Sequence, residues 1–325
     1  MTGSEPAAAL LDPAAAPVAT ARWSPALQRW REARPREWRD AVRAAVLRHG
    51  AVLFRGFPVG SPAAFEAFAA GVTPADAWMP YHEKATPRSA VAGHVATSTE
   101  YHPSGTIYLH NECCHHASWP LHIFFSCQVA ASSGGRTPIA DIRAVTRELD
   151  ALVRPLFAGR TIRYVRNFGP DLGADPAYAF GTADRTEIER YCDAHGIAWE
   201  WLGEGRLRTH YERPAYARHP LTGEELWFNN LVFYHPSTIE RRLRLALRGV
   251  ADADLPFNSC FGDGSPVPQE VVDACRRAYD TFTLRFDWRA GDVLMLDNMR
   301  FAHGREPYKG ERRVWVAMTE ETRHG

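Results

Sequence analysis

The sharpest chemical signal in the sequence is His110-Asn111-Glu112. It follows Thr106-Ile-Tyr-Leu109, a short run that reads as a strand. Along an extended chain, residues i and i+2 share a face. An imidazole nitrogen and a carboxylate oxygen can then aim at one point, which is half of a metal site. Taken alone, H-x-E is common by chance. A third ligand must come from a distant segment, and the best candidate is His303. It lies in Asp297-Asn-Met-Arg-Phe-Ala-His303, after an apolar strand entered through Gly291-Asp292. By itself it reads as a loop histidine. Two histidines and one carboxylate form the facial triad used for non-haem Fe(II), with positions left open for other ligands. H-E-x-x-H is absent, which excludes a zinc-protease helix.

An Fe(II) oxygenase of this kind needs an electron source. 2-Oxoglutarate supplies two electrons by oxidative decarboxylation while chelating the metal. Its far carboxylate calls for a bidentate cation, which arginine provides better than lysine. Arg312 and Arg313 follow His303 by nine and ten residues, on a strand returning toward the core. Thr137, just after a glycine turn, offers a hydroxyl to the same carboxylate.

Many short elements must position these groups. Residues 23–49 read as one or two helices, followed by a strand at 51–55 and a helix at 63–70. Residues 121–130 (LHIFFSCQVA) read as a long buried strand and 143–152 as a helix. Strand signals recur at 161–166 and 225–233, with a polar helix between them at 185–195. An amphipathic helix at 268–280 precedes three strands at 282–288, 293–297 and 313–319. Short strands, turn signals and interspersed helices predict a β-sandwich or barrel core with helical additions. No G-x-G-x-x-G or P-loop sequence occurs, and strict β-α alternation is missing. A doubly wound nucleotide fold is therefore disfavoured.

The 325 residues carry 38 Lys+Arg against 38 Asp+Glu, a formal net charge of zero. That balance argues against a protein built to neutralise nucleic-acid phosphates. No apolar run approaches the length of a membrane span. Residues 1–22 read as a flexible tail and a poor signal peptide, since no Lys or Arg precedes Arg22. The six cysteines form no C-x-x-C pair. Reduced thiols and a cytoplasmic location are the expectation.

The ordered set His110-x-Glu112, Trp119-Pro120, Gly134-Gly135-x-Thr137-Pro138, Gly291-Asp292, Asp297-Asn298 and His303 with the following arginine pair resembles the TauD/TfdA family. These are Fe(II)/2-oxoglutarate dioxygenases. HNECCHHASWPLHIFF, GGRTPIAD, ELWFN, GDGSPVP and AHGREPYKGERRVWVAM are similar to the SyrP-like branch found beside nonribosomal peptide synthetases. The resemblance implies a double-stranded β-helix, or jelly roll, mainly β with added helices. It implies a single dioxygenase domain over 23–325, with a helical insertion between the first and last metal ligands. It assigns the iron ligands to His110, Glu112 and His303, and contact with 2-oxoglutarate to Thr137 and to Arg312 or Arg313. In taurine-type members another arginine four residues on binds an anionic substrate group. Here Val316 or Ala317 stands there, which disfavours a sulfonate.

The implied activity is hydroxylation by O2 of an amino acid or carrier-tethered amino-acyl unit in secondary-metabolite biosynthesis. Desaturation, epoxidation or cyclisation would use the same cofactors. Glu112 disfavours halogenation, which needs that ligand position vacant. A non-catalytic, small-molecule-binding jelly roll is the rival from another class. An acyl or peptidyl carrier protein is a candidate partner, and the basic run 241–248 is a candidate surface for it or an ordinary solvated helix face. His115, His116 and Arg305 are either substrate-facing or ordinary loop residues, and Asn298 and Arg300 either line the pocket or hold the strand end. Cys113 and Cys114 read as pocket wall or packing. Tyr164, Phe168, Trp199, Trp201 and Trp227 read as core.

Overall fold

Pro35 divides the first helical stretch in two, Pro25–Ala33 and Pro35–His49, each with proline in its first turn, where the missing N–H costs nothing. The computed structural model describes residues 18–75, 77–79, 88–170, 173–203, 205–239, 244–245 and 247–323. A seven-stranded sheet runs in the order Ala19–Arg22, Ala51–Arg55, Val293–Asp297, Ser118–Val129, Arg313–Arg323, Val95–Thr97, Ala90–Ala92. A four-stranded sheet runs Thr283–Leu284, Ile139–Asp141, Phe301–Arg305, Ile107–His110. The chain passes back and forth between the two, which is the winding of a double-stranded β-helix.

Period-two alternation explains how the large sheet serves two cores. Leu53, Ile123, Phe125, Leu294 and Val316 face inward, where Ile139 and Phe301 of the small sheet meet them. Val52, Phe54, Phe124, Met295 and Trp315 face outward and are covered by Leu27, Trp38, Val42 and Phe65 of the helical layer. A second four-stranded sheet, Ala198–Trp201, Leu207–Pro214, Thr161–Phe168, Phe257–Phe261, lies between the first and last candidate ligands in the chain. With the helices Ile142–Phe157 and Gln269–Thr281 it contributes to a third core that includes Tyr164, Tyr211, Trp227 and Val272.

Three expectations need correction. The tail does not extend to residue 22: Ala19–Arg22 is a strand, paired in parallel with Ala51–Arg55, and Ala19, Thr20 and Ala21 are buried. Residues 1–17 lie outside the described residues. The run 225–233 is not one strand. Only Glu225–Leu226 pairs, and Leu231–Tyr234 is a helical turn. Asn229 Oδ1 accepts from the Leu231 N–H and the Tyr164 hydroxyl accepts from the Asn230 N–H, so side chains take donors that a ladder would have used. In the stretch 282–288 only Thr283–Leu284 joins a sheet. Of the basic run 241–248, residues 241–243 and 246 lie outside the described residues.

The helical layer is tied to the large sheet by a buried ion cluster. Arg43 donates twice to Glu320, at 2.6 and 3.0 Å, and His122 Nδ1 lies 2.9 Å from the same carboxylate. Burial pushes the Glu320 carboxyl up, but the hydrogen bonds from His122 and Arg43 outweigh it and hold the group at about 2. Its folded value lies below the ordinary one, so the stabilisation is complete above about pH 4.5 and is lost as pH falls toward 2. The gap corresponds to about 3 kcal/mol. Urea midpoints across that window should fall steeply for the native protein and much less for Glu320→Gln. Parallel pH profiles for the two would remove the cluster from the stability argument.

Candidate metal centre and the cavity beside it

His110 and His303 are direct cross-strand partners in the small sheet, with ring centroids 4.5 Å apart. Gly304 permits this approach, since a Cβ there would meet the Ile107 carbonyl oxygen at 2.6 Å. Glu112 comes to the same point by a different route from the extended strand expected. The strand ends at His110, and the following residues turn, with Cys113 at φ 57°. Asn298 sets the position of Glu112. Its side-chain oxygen accepts from the Glu112 N–H at 2.8 Å, and its amide donates to the Glu112 and Pro120 carbonyls, both at 2.9 Å. Asn111 completes the clamp by donating to the Asn298 carbonyl at 2.6 Å. Asn298 thus holds the backbone of a candidate ligand rather than lining the pocket, while Asp297 accepts from the Met299 and Arg300 N–H groups.

One ligand atom from each of His110, Glu112 and His303 lies within 4.8 Å of the others. His303 Nε2 is 3.7 Å from Glu112 Oε2. His110 Nδ1 donates to the Tyr108 carbonyl at 2.9 Å, which leaves Nε2 as the ligating nitrogen. Burial, then the neighbouring His303, pulls the His110 pKa down to about 3, so the ring is neutral at physiological pH. Burial alone would raise the Glu112 carboxyl, but Arg88 at 2.7 Å and the two histidines hold it well below the usual range. Two imidazoles and a buried carboxylate converging on one point fit a divalent ion. The buried Nδ1 of His303 has no hydrogen-bond partner among the described residues. Phe233 packs on the His110 ring and Phe125 on the His303 ring, at 4.7 and 5.0 Å, and both exclude water.

Next to the triad, Thr137, Arg312, Phe125 and Ser98 line a narrow recess of about 30 Å³. Arg312 donates to the Gly135 carbonyl at 2.9 Å and lies 3.4 Å from the Thr137 hydroxyl. Gly135, at φ +70°, leaves room for it: a Cβ would stand 3.0 Å from Arg312 Cδ. Burial, and then Arg305, lowers the Arg312 pKa to about 10. No carboxylate among the described residues pairs with this half-buried cation. Arg313, the other candidate, is exposed and paired with Glu311, since neighbouring residues at a strand entry face opposite ways. Thr137 Oγ1 accepts from the Trp288 indole at 3.0 Å, which frees its own proton for an acceptor in the recess.

Arg88, Thr99, Ile107 and His110 border both this recess and a cavity of about 330 Å³. Cys113, His115, Arg166, Phe233 and Tyr234 help to form the cavity wall. His115 reaches it as one of the two sequence readings had it, with Nε2 2.8 Å from the Tyr234 hydroxyl. His116 instead stacks on Tyr211. Arg305 borders the recess, but its guanidinium donates to the carbonyls of Tyr101, His102 and Gly105, at 2.7–2.8 Å. It fastens the loop before Ile107–His110. Arg300 is bound by Glu224 and the Leu47 carbonyl, away from the site. Tyr164 and Trp227 are core, whereas Phe168 is also cavity wall. Sequence reasoning missed Arg88 and the two partners of His115, Asn230 and Tyr234, which no motif marks.

The family profile described as "Taurine catabolism dioxygenase TauD, TfdA family" matches residues 14–318. The chain belongs to the TauD/TfdA family. It is a 2-oxoglutarate-dependent dioxygenase whose cofactors are Fe(II) and 2-oxoglutarate, and whose reactants are O2 and a small molecule. The non-catalytic reading is thereby set aside. The chain is 39% identical over 272 residues to the dapdiamide synthesis protein DdaC of Enterobacter agglomerans, covering 83% of this chain and 82% of that one. It is 31% identical over 284 residues to a clavaminate synthase-like protein of Arabidopsis thaliana, covering 83% and 81%. Among solved structures, a putative alpha-ketoglutarate-dependent taurine dioxygenase from Burkholderia xenovorans superposes with TM-score 0.53 at 20% identity, over 89% and 82%. The structure of AAD-2 with Mn(II) and N-oxalylglycine gives TM-score 0.54 at 12% identity, over 89% of each chain. These two support the jelly-roll fold. No described helix is long and apolar enough to cross a membrane.

Proposed function

We propose that this dioxygenase hydroxylates an amino acid, free or carrier-tethered, in the biosynthesis of a secondary metabolite. In this reading His110, Glu112 and His303 hold Fe(II), and Thr137 and Arg312 hold the distal carboxylate of 2-oxoglutarate. The observation that carries it is the convergence of the three candidate ligands beside a half-buried arginine with no carboxylate partner among the described residues. The pathway assignment is supported by the likeness to a dapdiamide synthesis protein.

Fe(II) with 2-oxoglutarate supplies the oxidation of a C–H bond by O2, with succinate and CO2 as co-products. The chain's own residues orient and shield that chemistry. The Tyr108 carbonyl fixes the His110 tautomer, and Asn298 fixes the backbone of Glu112. Arg88 keeps the Glu112 carboxylate charged and restricts its rotation. Thr137, pinned by Trp288, would donate a hydroxyl hydrogen bond to the co-substrate carboxylate, while Arg312 supplies the charge. The adjoining cavity takes the carbon to be oxidised.

The test is anaerobic addition of Fe(II) and 2-oxoglutarate, followed by O2 with free and thioester-bound amino acids. A weak visible charge-transfer band, then succinate and a product heavier by one oxygen atom, is the expected result. A product lighter by two hydrogens would replace hydroxylation with desaturation or ring closure. Succinate without any amino-acyl product would overturn the substrate class.

A further inference from the structure

The turn 297–300, which carries Asn298, is held by a segment outside the two jelly-roll sheets. Ala217–Arg218 pairs with Glu225–Leu226 as a short hairpin, and His219 opens its loop. The hairpin fixes His219 through four hydrogen bonds. The His219 N–H donates to the Glu224 carbonyl at 2.8 Å, and the Gly223 N–H donates to the His219 carbonyl at 2.9 Å. The Leu221 and Thr222 N–H groups both donate to His219 Nδ1, each at 3.2 Å. Nδ1 is thus an acceptor, and Nε2 carries the ring proton. Nε2 lies 2.8 Å from Asp297 Oδ2, and both side chains are buried.

Asp297 passes this hold to its neighbour. It ends the strand Val293–Asp297, and its Oδ1 caps the turn by accepting from the Met299 and Arg300 N–H groups, at 3.0 and 3.1 Å. Asn298 sits inside that turn. Its N–H donates to the Leu121 carbonyl at 2.9 Å, and its side chain takes both backbone groups of Glu112. The same hairpin touches the turn a second time, through the Glu224–Arg300 ion pair. That second contact leads on to the Leu47 carbonyl in the helical layer, away from Asn298.

We propose that His219 is a positioning residue for the metal centre: through Asp297 it sets the turn in which Asn298 holds Glu112. This rests on the function proposed above, in which Glu112 is a ligand, and deepens it. The hydrogen bonding allows one arrangement only. Oδ2 of Asp297 accepts from His219 and Oδ1 accepts from the turn, and the ring cannot change tautomer while two N–H groups face Nδ1. An amide at position 297 would set its NH2 against the Nε2 proton. Removing the Nε2 donor would leave a buried carboxylate short of a partner, and the turn would shift to satisfy it. Partners behind a metal ligand act in this way, by fixing the orientation of the ligand itself.

The test reads metal affinity rather than turnover, by calorimetry with Co(II) on the metal-free protein, beside its thermal midpoint. Glutamine places its amide nitrogen near the position of Nε2, and asparagine places its side-chain oxygen near that of Nδ1. His219→Gln therefore keeps the donor to Asp297, whereas His219→Asn keeps only the acceptor for the loop. Co(II) affinity should fall about 10-fold in His219→Asn and in the isosteric Asp297→Asn, and most of it should return in His219→Gln. The two losses should not add in the double variant, since both act on one path. Glu224→Gln should lower the thermal midpoint and leave the affinity unchanged. Native-like affinity in either asparagine variant overturns the positioning role, however far the midpoint falls. Equal losses in His219→Gln and His219→Asn overturn it as well, because the ring would then only fill space. Should His219→Asn not fold, the other two variants decide: His219→Gln must keep the affinity and Asp297→Asn must lose it, and any other result overturns the proposal. Absence of Co(II) binding in the native protein overturns the metal centre itself, and the proposed function with it.

Discussion

Alanine at His303 is expected to weaken divalent-metal binding by more than about 100-fold and to eliminate turnover. The loss of a partner outside the ligand set typically costs 10- to 100-fold, and removing one of three ligands costs more. The fold should survive, because His303 occupies a position whose neighbours Phe301 and Ala302 carry the packing. Anaerobic calorimetry with Fe(II), or Co(II) in air, measures the effect directly. Native-like affinity in His303→Ala would falsify the triad, because His110 and Glu112 alone lie on one short segment and offer too few donors.

The second large effect belongs to Arg312. Substitution by alanine removes a half-buried cation next to Thr137, and contacts of this kind are worth about 2–5 kcal/mol. The dissociation constant for 2-oxoglutarate should therefore rise by about 30-fold to a few thousand-fold, while metal affinity stays the same. Arg313→Ala should leave both unchanged, since that side chain is exposed and paired with Glu311. With its pKa near 10, Arg312 stays charged at neutral pH. Affinity for 2-oxoglutarate should accordingly be flat from pH 6 to 8 and decline above pH 10. An Arg313→Ala variant that loses 2-oxoglutarate while Arg312→Ala keeps it would reverse the assignment.

The parts of the site legible in the sequence are those fixed by residue type and strand order. His110, Glu112 and His303 were legible because few residue types bind iron and because strand ends bring distant segments together. The choice between Arg312 and Arg313 was not legible, because it turns on a one-residue register at a bulge. Arg88 was hidden for another reason. Two strands of the large sheet separate it from the first ligand in the chain, and only tertiary folding brings it to Glu112. The run 225–233 misled because its apolar residues are as compatible with a helical turn between buried asparagines as with a strand. Which of the two readings of Arg305 applies was not legible, because the sequence does not show how many backbone carbonyls a loop leaves unsatisfied.

The two sheets that wall the large cavity divide the labour between chemistry and recognition. The candidate ligands, their clamp at Asn298 and the Thr137–Arg312 recess are built from the jelly roll and its adjoining turns. Arg166 and Phe168 stand on the second sheet, and Phe233, Tyr234 and Phe257 come from the same intervening stretch of chain. Grafting the 161–261 stretch from a relative, with His219 kept, should therefore exchange the substrate while keeping the oxidising machinery. The protein is in this sense a reusable engine with an exchangeable jaw, and changes of specificity can accumulate in one contiguous block of sequence without disturbing the candidate metal ligands.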